Sequence, residues 1–277
     1  MWETGKSLLI QALQSTAWQA LYLLIPLLLT GTLIHFCSNL LEIFALRLLG
    51  LKAYLYLIAW PGTLVHELGH AIFCSPFGHR IDKVRLLSFS TRNQSTGYVS
   101  HSYSGRNPWH LLGNFFISIG PLLLGSLVVI LSLRYLAGVP VGPRRLLANA
   151  NSLVSAESIF SSLKVLNLSL RGLAYGLVRS VDWTGWRTWL AAYLILSVGS
   201  AMTLSREDLS AAAGGLGVLL LLGYAFNLAL ALTGISAFQP SGLLPWTLAG
   251  CLVLIVVLTV LLPVLLVLWL LVKLTGR

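Results

Sequence analysis

Acidic residues are scarce in this chain: eight Asp and Glu stand against 18 Lys and Arg among 277 residues. Any chemistry that needs a carboxylate therefore has few candidates. Charge of either sign is thin as well, at 9% of residues, where a soluble domain carries about 25%. That deficit excludes an ordinary water-exposed surface. Cysteine is limited to Cys37, Cys74 and Cys251, widely spaced and each in or beside an apolar run. A disulfide framework is thereby excluded, and small packing residues are expected instead. Also missing are internal repeats, low-complexity linkers and any long basic block. The net charge of +10 comes from Lys and Arg in the short segments between apolar runs. That placement suits anchoring at lipid head groups and argues against a nucleic-acid partner.

What the chain has in abundance is apolar sequence: 57% hydrophobic residues and a mean hydropathy of +0.85. Four stretches carry no charge at all, Ser7 to Leu41, Leu111 to Leu133, Thr188 to Ser205 and Leu209 to Val272. A helix needs about 20 apolar residues to cross the hydrocarbon core. The expectation is an all-α polytopic membrane protein, a single membrane-embedded domain over 1–277 with six spans, at approximately 16–36, 54–75, 109–136, 185–204, 209–233 and 244–273. The first run is too long for a signal-peptide core of about 7–15 residues, so it is expected to remain as a helix. Pro26, Pro61, Pro121 and Pro263 fall inside spans. Membrane helices tolerate proline where neighbours satisfy the freed carbonyls, and Trp60-Pro61-Gly62 reads as a kink or break.

Three connections carry structure of their own. Ile81 to Phe89 and Thr96 to Tyr103 are rich in β-branched and aromatic residues around a polar Ser90 to Ser95 turn, which predicts a β-hairpin over about 81–103. Between Asn149 and Asp182, apolar residues recur at helical spacing opposite Lys164, Arg171 and Arg179, which predicts interfacial helix over about 149–182. Ser38 to Lys52 mixes Asn39, Glu42, Arg47 and Lys52 with apolar residues and reads as another interfacial turn or helix.

The segment with chemistry is His66-Glu67-Leu68-Gly69-His70. Residues four apart share a helix face, so two imidazoles can converge on one ion while Glu67 flanks it. Two histidines can hold Zn²⁺ as a Lewis acid, and Glu67 can take a proton from the activated water and pass it to a leaving amine. With six His and five Glu in the chain, chance would produce H-E-x-x-H roughly 0.002 times. Ionisable residues inside a span cost about 2.5–3.5 kcal/mol each on insertion scales, so three within five positions need a common purpose. The competing use is a pair of interhelical hydrogen bonds.

A catalytic zinc needs a third protein ligand. Counting crossings places Glu42, Glu157 and Asp182 on the opposite side from the end of the motif helix, and Glu3 in the terminus. Asp82, Glu207 and Asp208 remain, with His79, His101 and His110 as nitrogen candidates; a third His six residues after His70 is absent, because Pro76 stands there. Asp208 is the best placed of these, at the mouth of a later span. Ser205-Arg206-Glu207-Asp208 also reads as a helix start with Ser205 as its cap, and the two roles can coexist.

With H-E-x-x-H in a span, a hairpin after it and an acidic residue opening a later span, the chain resembles the site-2 protease family of intramembrane zinc metallopeptidases. The resemblance runs from Trp60 through His70 to Ile119-Gly120-Pro121-Leu122, with Ser205 to Leu209 as a second anchor. It implies that His66, His70 and Asp208 bind zinc, that Glu67 is the base, and that a membrane protein or peptide is cut within the bilayer. Asn114 and Pro121 correspond to the polar and Gly-Pro positions of the family's third helix. The family's aspartate usually sits in an Asn-Pro or Leu-Asp-Gly setting, which Ser205 to Ser210 lacks. Lys and Arg divide nine and nine between the two sides, so charge does not set the orientation; the resemblance implies a cytoplasmic membrane with the site open to the cytoplasm. A non-catalytic zinc-binding scaffold, degenerate peptidase or transporter subunit is the alternative, expected if the pair holds no metal or lines a pore.

Overall fold

The computed structural model describes residues 2–89, 96–139, 181–234 and 243–276. Helix α1 spans Trp2–Tyr54, is followed by a π-helical turn at Leu55–Ala59, and leads into α2, Trp60–Cys74. Strands β1, Arg80–Arg85, and β2, Tyr98–Ser102, come next. Helix α3, Pro108–Leu131, ends in a second π-helical turn at Ser132–Leu136. Helices α4, Trp186–Ser200, α5, Arg206–Leu232, and α6, Leu244–Thr275, complete the described chain.

Among the described residues the fold is helical with one small sheet, and four helical stretches are long and apolar enough to cross a membrane: Gly5–Cys74, Pro108–Leu136, Arg206–Leu232 and Trp246–Thr275. Six separate spans were expected. The expected spans at 16–36 and 54–75 lie in one helical run, because nothing between them stops a helix before Gly50, whose φ of 78° and ψ of 165° mark a sharp break. At about 1.5 Å per residue the part of α1 before Gly50 is roughly 70 Å long, against a hydrocarbon thickness of about 30 Å. The Ser38 to Lys52 stretch does not form a separate interfacial element; Cys37, Ser38, Leu41 and Ala45 continue the buried face of α1. The expected 185–204 span is the 15-residue α4, short of the roughly 20 residues a crossing needs. The expected interfacial segment at 149–182 lies, apart from its last two residues, outside the described residues.

The hairpin forms where the β-branched and aromatic runs predicted it. Its strands pair antiparallel from Arg80 opposite Ser102 to Arg85 opposite Tyr98, with an irregularity between Ile81 and Lys83. Its expected turn at Ser90 to Ser95 lies outside the described residues.

The apolar core sits where α1, α3, α4 and α6 meet, around Ile34, Leu41, Val129, Ile195, Leu252, Val257 and Leu261. Half of the most apolar window of α6 is buried, against 11% for α5. Helix α6 is therefore the internal post, and α5 turns most of its side chains outward, as a helix solvated by lipid does. Polar side chains join α1 to α5: Asn227, 1% exposed, donates through Nδ2 to Thr16 Oγ1 and Gln19 Oε1, both at 2.9 Å. Cys37, Cys74 and Cys251 are buried free thiols.

Candidate metal centre

Helix α2 is set against its neighbours by glycines with no room for a side chain. A Cβ on Gly69 would stand 2.5 Å from the Pro121 nitrogen, and one on Gly62 would stand 2.8 Å from Ala201 Cβ. Backbone contact of this kind lets α2 approach α3 and α4 closely. The π-helical turn ahead of Pro61 leaves backbone groups without helical partners, and Ser197 of α4 takes them up. Its hydroxyl donates to the Ile58 carbonyl at 2.6 Å and accepts from the Gly62 N–H at 2.9 Å.

Both motif histidines are oriented by carbonyls that have a reason to be free. His70 Nδ1 lies 2.9 Å from the Ile117 carbonyl oxygen. Four residues on from Ile117 stands Pro121, which has no N–H for the helical bond to that oxygen. His66 Nδ1 lies 2.8 Å from the carbonyl oxygen of Ala201, the residue that closes α4, where terminal carbonyls lack helical donors. A carbonyl only accepts, so both rings carry hydrogen on Nδ1, and neutral imidazoles then present lone pairs at Nε2.

Those two Nε2 atoms face each other at 3.2 Å. Asp208 Oδ1 lies 3.5 Å from His70 Nε2, and the ligand atoms of His66, His70 and Asp208 all fall within 4.8 Å of one another. Facing lone pairs beside a carboxylate repel unless a cation or proton sits among them. Ligands at about 2.0–2.2 Å from a tetrahedral ion lie roughly 3.3–3.6 Å apart, and the separations of 3.2 and 3.5 Å at His70 Nε2 are of that order, so the cluster could hold a metal ion. Donation of the second ring nitrogen to a backbone carbonyl is also the arrangement that metal-binding histidines adopt.

Asp208 has two uses at once. Its Oδ2 accepts the Ser205 N–H at 2.9 Å, while its own N–H donates to Ser205 Oγ at 3.0 Å, forming a reciprocal cap on α5. The remaining oxygen, Oδ1, is the one turned toward His70. Glu67 is 9% exposed and packs under the loop that enters β2, where a Cβ on Gly97 would stand 2.7 Å from Glu67 Cγ. The loop that enters the hairpin thus packs on the Glu67 side chain.

The other ligand candidates lie elsewhere. Among the described residues the one group of three or more such side chains able to hold a metal is His66, His70 and Asp208. Asp82 accepts from Ser102 Oγ at 3.1 Å. His79 and His101 meet through their Nδ1 atoms at 3.0 Å, and His79 Nε2 donates to the His110 carbonyl at 2.8 Å. That bond fixes neutral His79 with its acceptor at Nδ1, so His101 is the donor. Burial lowers the pKa of His79, opposed by its bond to the His110 carbonyl and aided more weakly by the charge of the His110 ring. His101 is lowered first by burial and then by His79 and His70, with Asp82 opposing. Glu207 lines a cleft beside α5.

Residue patterns alone missed the two orienting carbonyls, Ser197 and Gly97. The first had a legible signal, since a proline four residues after Ile117 marks that carbonyl as unpaired. No protein family, no curated protein and no solved structure matches this chain. The chemistry of the centre has to be read from its own residues.

Proposed function

We propose that this chain is a membrane-embedded zinc endopeptidase of the site-2 protease type, cutting membrane-associated polypeptides. One observation carries the reading: two imidazoles locked with their Nε2 lone pairs facing each other at 3.2 Å, closed by a carboxylate and flanked by the buried Glu67. His66, His70 and Asp208 would hold the ion. Zinc, when bound, supplies a Lewis acid for a peptide carbonyl and acidifies a water. Glu67 takes the proton of the attacking water and returns it to the leaving nitrogen. The Ile117 and Ala201 carbonyls hold both rings in the ligating orientation. The loop at Gly97 covers Glu67 and restricts bulk water around it.

A transmembrane substrate has to unwind first, because a helical amide hides its carbonyl carbon from attack. The two-stranded sheet has two outer edges, and an extended peptide can pair with either. In this reading the chain crosses a cytoplasmic membrane several times, α4 completing its crossing with flanking residues, and the site opens toward the cytoplasm.

The test is purified, reconstituted protein assayed for zinc and for cleavage of a co-reconstituted membrane substrate. Glu67→Gln is expected to keep stoichiometric zinc and to lose about 10²–10⁴-fold in cleavage rate. His66→Ala and His70→Ala are expected to lose the metal. Undiminished cleavage by Glu67→Gln would refute the mechanism, and zinc binding without cleavage by the native chain would leave a non-catalytic zinc protein.

A further inference from the structure

We propose that the cleft between the first turns of α3 and α5 binds an extended stretch of the peptide substrate, gripping its main chain through the side-chain amide of Asn114. The inference rests on the peptidase reading and names a subsite for it. The cleft has a volume of about 630 Å³, and Tyr103, Asn114, Arg206, Glu207, Ala211 and Gly214 line it.

Asn114 is the residue that needs an explanation. It is 5% exposed, yet its side chain takes no hydrogen bond among the described residues. The contrast is Asn227, equally buried in a helix, whose amide is satisfied by Thr16 and Gln19. Among the described residues the one side-chain polar atom both sealed off and without a partner is Ser38 Oγ, so the Asn114 amide keeps an opening, and it lines the cleft. Two of its lining residues stand close along the chain to groups of the metal centre. Asn114 lies one turn before Ile117, whose carbonyl holds His70, and Glu207 is next to Asp208. A chain lying in the cleft would lead toward the three ligand atoms.

The lining selects the class of ligand. A carboxamide offers donors and an acceptor on one plane and so matches a peptide amide. An acyl chain would leave Asn114 unpaired. An anion would meet Arg206 and Glu207 side by side, whose charges offset each other. Ala211 and Gly214 keep the α5 wall low, leaving width for a chain with side groups.

Two probes separate the subsite from the metal: acetohydroxamate, which reaches only the ion, and a tripeptide hydroxamate, which also extends along the chain. Both are titrated into the zinc-loaded full chain in nanodiscs by calorimetry. Asn114→Leu is expected to weaken the tripeptide hydroxamate about tenfold and acetohydroxamate less than about twofold, with zinc content unchanged. N-methylation of the tripeptide amides should cost affinity in the native chain and almost nothing in Asn114→Leu. Should Asn114→Leu fail to fold, Ala211→Leu fills the cleft from its exposed wall and is expected to give the same selective loss. Equal affinity of native and variant chains for the tripeptide, or parallel loss of both probes, overturns the proposal. If a zinc-loaded native chain binds neither probe, the peptidase reading itself fails and takes the subsite with it.

Discussion

Replacing Pro121 by Ala should weaken metal binding while making α3 a better helix, two effects of opposite sign. Alanine restores the N–H at position 121, and the nearest acceptor for it is the Ile117 carbonyl four residues earlier, the oxygen that now holds His70 Nδ1 at 2.9 Å. His70 would then share or lose the bond that fixes its tautomer and ring plane. Loss of such a partner commonly costs about 10–100-fold in metal affinity, which is about 1.4–2.8 kcal/mol. The helix itself gains, since an interior proline costs about 3 kcal/mol in an ordinary helix, though the glycine contact between Gly69 and Pro121 keeps the two helices in register in either case. The assay is competition for zinc against a chelating dye, run on reconstituted native chain, Pro121→Ala and His66→Ala, alongside thermal unfolding. Cobalt substitution adds a spectrum that reports ligand geometry. A Pro121→Ala chain with native zinc affinity, measured where His66→Ala has none, would refute the reasoning that the proline frees the carbonyl to orient the ligand.

Other perturbations separate roles that share a residue or test distant packing. Asp208→Asn should lose most of the zinc affinity, while Ser205→Ala should mainly lower thermal stability, by about 0.5–2 kcal/mol, because only the cap is removed; equal zinc affinity in both variants would count against Asp208 as a ligand. Asn227→Leu removes the bonds from Asn227 to Thr16 and Gln19 and should destabilise the α1–α5 contact by about 1 kcal/mol, with zinc content as the control that stays constant. The His79–His101 pair predicts a pH effect on the hairpin. Both pKa values are lowered in the folded chain, so the unfolded hairpin binds more protons between the two sets of pKa values. The stabilisation is fully present above the unfolded value of about 6.5 and is lost as pH falls through the folded values. Hydrogen-exchange protection factors, the observed rates divided into the intrinsic rates at each pH, should therefore fall at Arg80 to Arg85 and Tyr98 to Ser102 on acidification below about pH 6.5, and His101→Phe should flatten that dependence.

The ends of elements were the least legible part of the sequence. Five of the six expected spans lie within the four helical stretches of spanning length, yet α1 runs on through the polar residues Asn39, Glu42 and Arg47, because helix propensity and a buried stripe at Ile34, Leu41 and Ala45 outweigh a few charged side chains. Helix α4 stops at Ser200 although the sequence remains uncharged to Ser205. Hydropathy reports the solvent around a segment, and it does not report where a chain must leave a helix to reach the next one.

By itself the sequence determined the chemistry available: two imidazoles and a carboxylate on adjoining turns, a scaffold of long apolar helices, a hairpin, and so few acidic residues that a third ligand had to come from a short roll. These are local properties, set by composition and by the 3.6-residue period. Tertiary structure alone decided that Asp208, rather than Asp82 or Glu207, stands beside His70, and that Ile117 and Ala201 aim the rings. Such choices depend on how three helices pack, and that is fixed by glycine contacts at Gly62 and Gly69 between segments more than 50 residues apart in sequence, a separation across which no residue pattern carries a distance.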